Sequence, residues 1–140
     1  MMISSRGRYA LRVLIDLAEH QSEGYVPLKE VSLRQDVSEK YMESITRLLV
    51  KDGVLEGLRG KGGGYRLSKA PDQFTVGRIL RLTEGSLAPV SCLDTPCERM
   101  SECRILDFWR GLDEVISEYL DRYTIADLAK MGEPGNDYVI

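Results

Sequence analysis

No run in this 140-residue chain approaches the roughly 20 apolar residues of a membrane span. The segment from Met1 to Arg6 lacks the apolar stretch of an export signal. The chain is therefore expected to be cytoplasmic, where thiols stay reduced. Histidine is nearly absent, with His20 alone, which leaves little for general-base chemistry. No enzyme is expected on that ground. Cysteine is missing from most of the chain and confined to Cys92, Cys97 and Cys103. An odd count in a reducing compartment argues against a disulfide framework and favours a metal or reactive thiols. The C-x2-C knuckle of structural zinc is also missing, because the spacing is C-x4-C-x5-C.

A net positive charge is lacking too, the total being −3. The distribution is uneven. Residues 1–69 hold 12 Lys and Arg against 9 Asp and Glu, and residues 70–140 hold 7 against 13. A mildly basic first half beside an acidic second half points to a nucleic-acid partner for the first half alone.

Apolar spacing predicts a mostly α chain with one small hairpin. A first helix is expected over residues 5–20, with Ala10, Leu14, Leu17 and Ala18 in period and Leu11 and Ile15 beside them. Pro27 suits the first position of a helix reaching residue 34, with Val31 inward. A polar break follows, and Ser38 is a plausible N-cap for a helix over residues 39–52. In that helix Met42, Ile45, Leu48 and Leu49 face inward, while Glu39, Lys40, Glu43, Ser44 and Arg47 face outward. Two helices joined by a tight polar turn make a helix-turn-helix. Strands over 54–59 and 65–68 around Gly60-Lys61-Gly62-Gly63-Gly64 make the wing. Further helices are expected over 74–84, 103–123 and 124–130, the last with a capping-box-like start at Thr124 to Asp127. In the long one, Ile105, Trp109, Leu112, Ile116, Tyr119 and Tyr123 step by 4, 3, 4, 3, 4, a heptad seam reinforced by Phe108 and Val115. That seam is wide enough to bury one edge on its own domain and another on a partner. The division expected is a winged helix-turn-helix domain over 1–85, a cysteine-bearing loop over 86–103, a dimerisation helix and short C-terminal helix over 104–131, and a flexible tail over 132–140.

The second helix of such a unit enters the major groove and offers its early residues to base edges. The candidates are Ser38, Lys40, Tyr41 and Glu43, with Arg47 further along. A carboxylate such as Glu43 is tolerable near phosphate when it accepts from cytosine N4; its bland alternative is an i, i+4 pair with Arg47. Tyr41 suits packing and phosphate contact equally. Arg59, Lys61 and Arg66 on the wing suit the minor groove or phosphate. Arg6 and Arg8 suit backbone phosphates or a solvated face. Nucleotide-binding loops fail on spacing, since Lys61 is followed by Gly62 and Gly63 and position 65 is Tyr65. Three thiols suit an iron–sulfur cluster, which accepts wider loops but needs four ligands. The fourth is open among Asp94, Glu98, Glu102, Asp107, His20 and a group from a second subunit. Zinc, reversible thiol chemistry and inert cysteines are the competing readings.

In combination, Ser4-Ser-Arg-Gly-Arg-Tyr9, Ser38-Glu-Lys-Tyr-Met-Glu43, Arg59-Gly-Lys-Gly-Gly-Gly-Tyr65, Leu82-Thr-Glu-Gly85 and the cysteine loop before Trp109 resemble the Rrf-two (IscR-type) family of bacterial winged-helix regulators. The resemblance covers about residues 2–130. That family includes regulators of iron–sulfur cluster assembly, nitric-oxide sensors and cluster-free repressors of cysteine metabolism. The resemblance implies a homodimer through the long helix, with seam residues Trp109, Leu112, Ile116, Tyr119 and Tyr123, and a palindrome-like double-stranded DNA operator. It implies a cluster on Cys92, Cys97 and Cys103, with 2Fe-2S favoured over 4Fe-4S. It also puts Ser38, Lys40, Tyr41 and Glu43 on the reading helix and Arg59 on the wing. The chain departs from the pattern twice. The first cysteine gap is four residues where five is usual, and Leu106 stands where the family carries a histidine ligand, with Asp107 next to it. The expectation is a repressor of iron–sulfur assembly genes whose DNA affinity depends on the cluster. A nitric-oxide- or redox-sensing repressor, a thiol-based redox protein and a winged-helix protein adaptor are the alternatives.

Overall fold

Ala10, Val13, Leu14, Leu17 and Ala18 recur at helical spacing and are all buried, so one side of the first helix builds the core. The computed structural model describes residues 2–21 and 24–133. The helix, α1 (Ser5–Glu19), starts where the Ser4 side chain accepts a hydrogen bond from the Gly7 backbone N–H. Next come α2 (Leu28–Gln35), α3 (Glu39–Lys51), strands β1 (Leu55–Leu58) and β2 (Gly64–Leu67), α4 (Val76–Glu84), α5 (Leu106–Arg122) and α6 (Ile125–Met131). Ser38, Thr75 and Thr124 cap α3, α4 and α6 in the same way, and at α6 the capping box is complete, with Asp127 accepting from the Thr124 N–H at 2.9 Å. β1 and β2 pair antiparallel with Leu55 opposite Leu67 and Leu58 opposite Gly64.

The main core joins α1 to Val31, Met42, Ile45, Leu49, Val54, Phe74, Ile79 and Ile125. Ile125 on α6 therefore returns the C-terminal end of the chain to the N-terminal core. A second, smaller cluster of Val76, Leu80 and Leu87 is covered by Ile3, Leu11, Leu120, Tyr123 and Leu128.

Several boundaries differ from the sequence expectation. Pro27 caps α2 rather than entering it, because its ψ of 136° is extended. Phe74 stays outside α4, since Thr75 is the cap. The long helix begins at Leu106 instead of 103: the 3-10 turn Met100–Glu102 ends at Cys103, whose ψ of 117° is extended. Leu48 is only half-buried, while Thr46, not expected inward, is buried and donates to the Glu43 carbonyl at 3.1 Å. Of the expected tail, residues 134–140 lie outside the described residues.

One buried group was not anticipated. Asp16 lies in the apolar face of α1 at 2 % exposure. Its carboxylate accepts from Arg34 at 3.0 and 2.8 Å and from Gln35 Nε2 at 2.9 Å. Arg12 reaches Gln35 from α1 as well, at 3.0 Å to Oε1 and 2.5 Å to the carbonyl oxygen. A buried carboxylate is tolerated only when paired and hydrogen-bonded, so this network holds the last turn of α2 against α1. Removing the guanidinium leaves the buried charge only Gln35 at 2.9 Å and the His20 ring at 3.6 Å, and Arg34→Ala is expected to lower unfolding free energy by about 3 kcal/mol. Urea denaturation measures it; a loss below about 1 kcal/mol, the range of an exposed pair, would show that Asp16 does not depend on Arg34.

Candidate DNA interface and thiol loop

The turn between α2 and α3 is tight because Asp36 takes a left-handed conformation (φ 53°), which Asp tolerates better than most residues. Ser32 Oγ donates to the Val37 carbonyl oxygen, and the Val37 N–H returns to the Ser32 carbonyl at 3.2 Å. Ser38 then receives the Tyr41 N–H at 3.2 Å and starts α3. This geometry leaves Ser38, Lys40, Glu43, Ser44 and Arg47 exposed on one side of α3 while Met42, Ile45 and Leu49 are buried on the other.

Tyr41 is half-buried. Its ring meets Tyr9 edge-on at 5.8 Å, and its hydroxyl lies 3.3 Å from Ser5 Oγ. Its body is thus packing and its tip is at the surface, beside the first turn of α1. Arg6 and Arg8 lie exposed at that end of α1. The same end is anchored to α4, for Ser4 donates to the Glu84 carboxylate through both its backbone N–H and its hydroxyl. Gly7 lies close against Thr83 and Glu84, where a Cβ would come within 3.1–3.2 Å. The motifs around Ser4 and Glu84, far apart in sequence, are thus one contact.

The wing is attached to the segment before α2. Val26 and Tyr65 exchange backbone hydrogen bonds of 2.8 and 2.9 Å. Gly64 makes this approach possible: its φ is +148°, and a Cβ there would lie 2.1 Å from the Val26 carbonyl oxygen. Between α3 and the wing runs an open cleft of about 610 Å³ whose lining includes Glu39, Glu43, Arg47, Arg59 and Lys29. Glu43 and Arg47, the candidate i, i+4 pair, form no ion pair among the described residues. Arg59 and Lys61 at the tip are likewise not paired with a carboxylate there. Arg66 is different. It is held by Glu56 at 2.9 Å and stacks over Tyr25 at 4.4 Å, and the Glu56 hydrogen bond raises its pKa above the ordinary guanidinium value. That cation is engaged within the hairpin and does not line the cleft. Lys29 was missed by sequence reasoning; only the folding of α2's first turn over the wing brings it there.

The three thiols sit on the segment between α4 and α5. All are free, Cys97 and Cys103 exposed and Cys92 half-buried within the 3-10 turn Ser91–Leu93. They suit an iron–sulfur cluster in kind, being soft donors on one loop. They do not converge: among the described residues no three His, Cys, Asp or Glu side chains stand together to hold a metal ion. Of the candidate fourth ligands, Asp94 accepts from Ser86 Oγ at 2.7 Å, His20 Nδ1 lies 2.7 Å from the Asp16 carbonyl oxygen, and Asp107 is 3.5 Å from Arg110. Leu106 is buried and, with buried Leu87, anchors the thiol segment at both ends.

Along α5 the apolar seam splits. Ile105, Phe108, Leu112, Val115 and Tyr119 are exposed and step by 3, 4, 3, 4. Trp109, Ile116 and Tyr123 are half-buried, Tyr123 against the second cluster of its own chain.

A helix-turn-helix followed by a two-stranded wing defines the winged-helix class of transcriptional regulators. The family model Rrf2, described as an iron-dependent transcriptional regulator, matches residues 3–131, and the chain belongs to that family. It is 37% identical over 134 residues to the HTH-type transcriptional regulator IscR of Erwinia tasmaniensis, covering 95% of this chain and 81% of the relative. Among solved structures, CymR, the global cysteine regulator of B. subtilis, is similar at a TM-score of 0.80 and 34% identity, covering 95% of this chain and 99% of that one. T. potens IscR is similar at 0.75 and 33%, covering 99% and 93%. No helix among the described residues is long and apolar enough to cross a membrane.

The attachment of the wing yields a test. Gly64→Ala is expected to cost about 3 kcal/mol, combining disfavoured φ with the clash on Val26. Gly53→Ala, also at positive φ but with nothing within 4 Å, should cost about 1 kcal/mol. Equal losses in chemical denaturation would contradict the contact with Val26.

Proposed function

We propose that this regulator is a dimeric, cytoplasmic repressor that reads a palindrome-like operator in double-stranded DNA, with an affinity set by an iron–sulfur cluster. The observation that carries this reading is continuity. A thiol-bearing segment leads directly into α5, whose exposed apolar edge suits a second copy, and α5 packs on the same unit that presents α3 and the wing. Cys92, Cys97 and Cys103 would hold the cluster, with 2Fe-2S favoured over 4Fe-4S. Such a cluster supplies a soft anionic centre that responds to iron supply and oxidants.

The chain's own residues do the rest. Ser38, Lys40, Tyr41 and Glu43 offer donors and acceptors to base edges and phosphate, with Glu43 suited to cytosine N4. Arg47, Arg59 and Lys61 neutralise phosphates around the cleft, with Arg6 and Arg8 beside the first turn of α3. Gathering the three separated thiols orders the segment between buried Leu87 and Leu106, and that order is passed to the start of α5. Iron–sulfur assembly genes are the proposed targets, with nitric oxide or oxidant as an alternative signal. A cluster-free, cysteine-responsive repressor is the second reading, favoured by the separation of the thiols and by the likeness to CymR.

Anaerobic purification of wild type and Cys97→Ala, with visible spectra, iron and acid-labile sulfide counts and gel shifts at two salt concentrations, tests this. The wild type is expected to be brown with sulfide matching iron. Cys97→Ala should be bleached, with operator affinity changed about tenfold, a typical coupling. Protein that stays colourless after enzymatic reconstitution would leave the thiol-based reading. The dimer is tested by Val115→Glu, which puts a charge in the middle of the exposed edge. It should sediment as a monomer and lose most operator affinity; an unchanged dimer would place the interface elsewhere.

A further inference from the structure

Among the described residues, two arginines one turn apart on α4 make the ion pairs that reach from this helix to its neighbours. Arg81 grips Asp121 of α5 with both terminal nitrogens, at 2.7 and 2.9 Å. Arg78 reaches Asp52, the residue that ends α3, through its carbonyl at 3.3 Å and its carboxylate at 3.4 Å, and lies over the Phe74 ring at 5.3 Å. Gly77 stands directly beneath the Asp121 carboxylate, where a Cβ would come within 1.9 Å of Oδ1 and 2.8 Å of Arg81 Nη1, so a side chain there would push the carboxylate out of its fork. Backbone bonds lock the other side of the same crossing: the Val76 N–H to the Tyr123 carbonyl at 2.9 Å and the Ile125 N–H to the Phe74 carbonyl at 3.0 Å. α4 is therefore clamped to α5 along its first turns, and the same face of α4 carries the arginine that holds the end of α3.

We propose that Arg78 and Arg81, with Asp52, Asp121 and Gly77, are positioning residues that carry the placement of α5 through α4 to the reading helix and so select the separation of operator half-sites. This rests on the dimeric, DNA-reading function above. The four side chains are 40–44% exposed, so the pairs add little to stability. Their contribution is orientation, since a bidentate arginine–carboxylate fork defines direction as well as distance. Half-sites on the duplex are met only when the two reading helices stand at a particular separation. A small change in the angle between α4 and α5 alters that separation without touching any group at the DNA.

The test uses the full-length protein and duplexes enriched by the wild type from a random pool. These are rebuilt with the half-sites one or two base pairs closer or further apart. Wild type should favour one spacing. Arg81→Ala, Asp121→Ala, Gly77→Ala and Arg78→Ala should flatten that preference by about fivefold or more while remaining folded dimers. Arg78→Ala combined with Asp121→Ala should go no further than either alone, because they interrupt one path. The exchanged pair Arg81→Asp with Asp121→Arg should restore the profile, because the fork between the two helices, and not either residue alone, sets the crossing. Asp121→Asn, nearly the same shape, serves should Asp121→Ala unfold. Folded dimeric variants with an unchanged spacing profile, or with affinity lowered equally at every spacing, would overturn the proposal while leaving the regulator reading intact. A wild type that binds no duplex or selects no spacing would overturn both.

Discussion

The buried Asp16 carboxylate is the constraint on which the placement of the reading helix depends. A charge in the apolar face of α1 has to be met by donors, and the donors are Arg34 and Gln35 in the last turn of α2. Once that turn is held, Asp36 supplies a left-handed step, Ser32 closes on Val37, and Ser38 opens α3. The start of α3 thus follows from an ion pair between the two helices before it, and its exposed face meets the wing across a shared cleft. Such a pair is a poor source of net stability, since its desolvation offsets its attraction, but it specifies one geometry among those an apolar contact would allow.

The second organising element is α4. Its C-terminal end receives Ser4 and Gly7 of α1, and its N-terminal end receives Tyr123 and Ile125 from the far end of the chain. The thiol segment leaves from this helix, dips once into the smaller cluster at Leu87 and returns to burial at Leu106. Between these anchors lie three free thiols, Cys92 within one short 3-10 turn, Cys97 between the two turns and Cys103 just after the second. Leu106, at the start of α5, is an anchor here by virtue of its burial.

Residue pattern made much of this legible. Apolar periodicity located the first, third, fourth and long helices, and Ser38 and Thr124 marked two helix starts, while the caps at Ser4 and Thr75 emerged only in the structure. The glycine-rich run marked the hairpin. Boundaries were less legible at Pro27, Phe74 and Cys103, whose extended ψ keeps each outside the helix that follows it. Thr46 shows the same limit: a polar residue can be buried when its hydroxyl finds a carbonyl in its own helix. Of the candidate DNA residues, chain pattern alone placed Glu43, Lys40 and Arg59 at the surface. It did not separate Arg66, which pairs across the hairpin with Glu56.

The sequence by itself determined the elements, the helix-turn-helix with its wing, and the grouping of the thiols in one segment, because each depends on residues within a few positions of one another. Tertiary structure alone decided the partners of Asp16, the meeting of Ser4 with Glu84, the bridging of Asp52 and Asp121 through α4, and which edge of the α5 seam is left open. Those are contacts between residues 18 to 80 positions apart. Whether two such side chains meet depends on how whole helices cross, and local spacing carries no record of that.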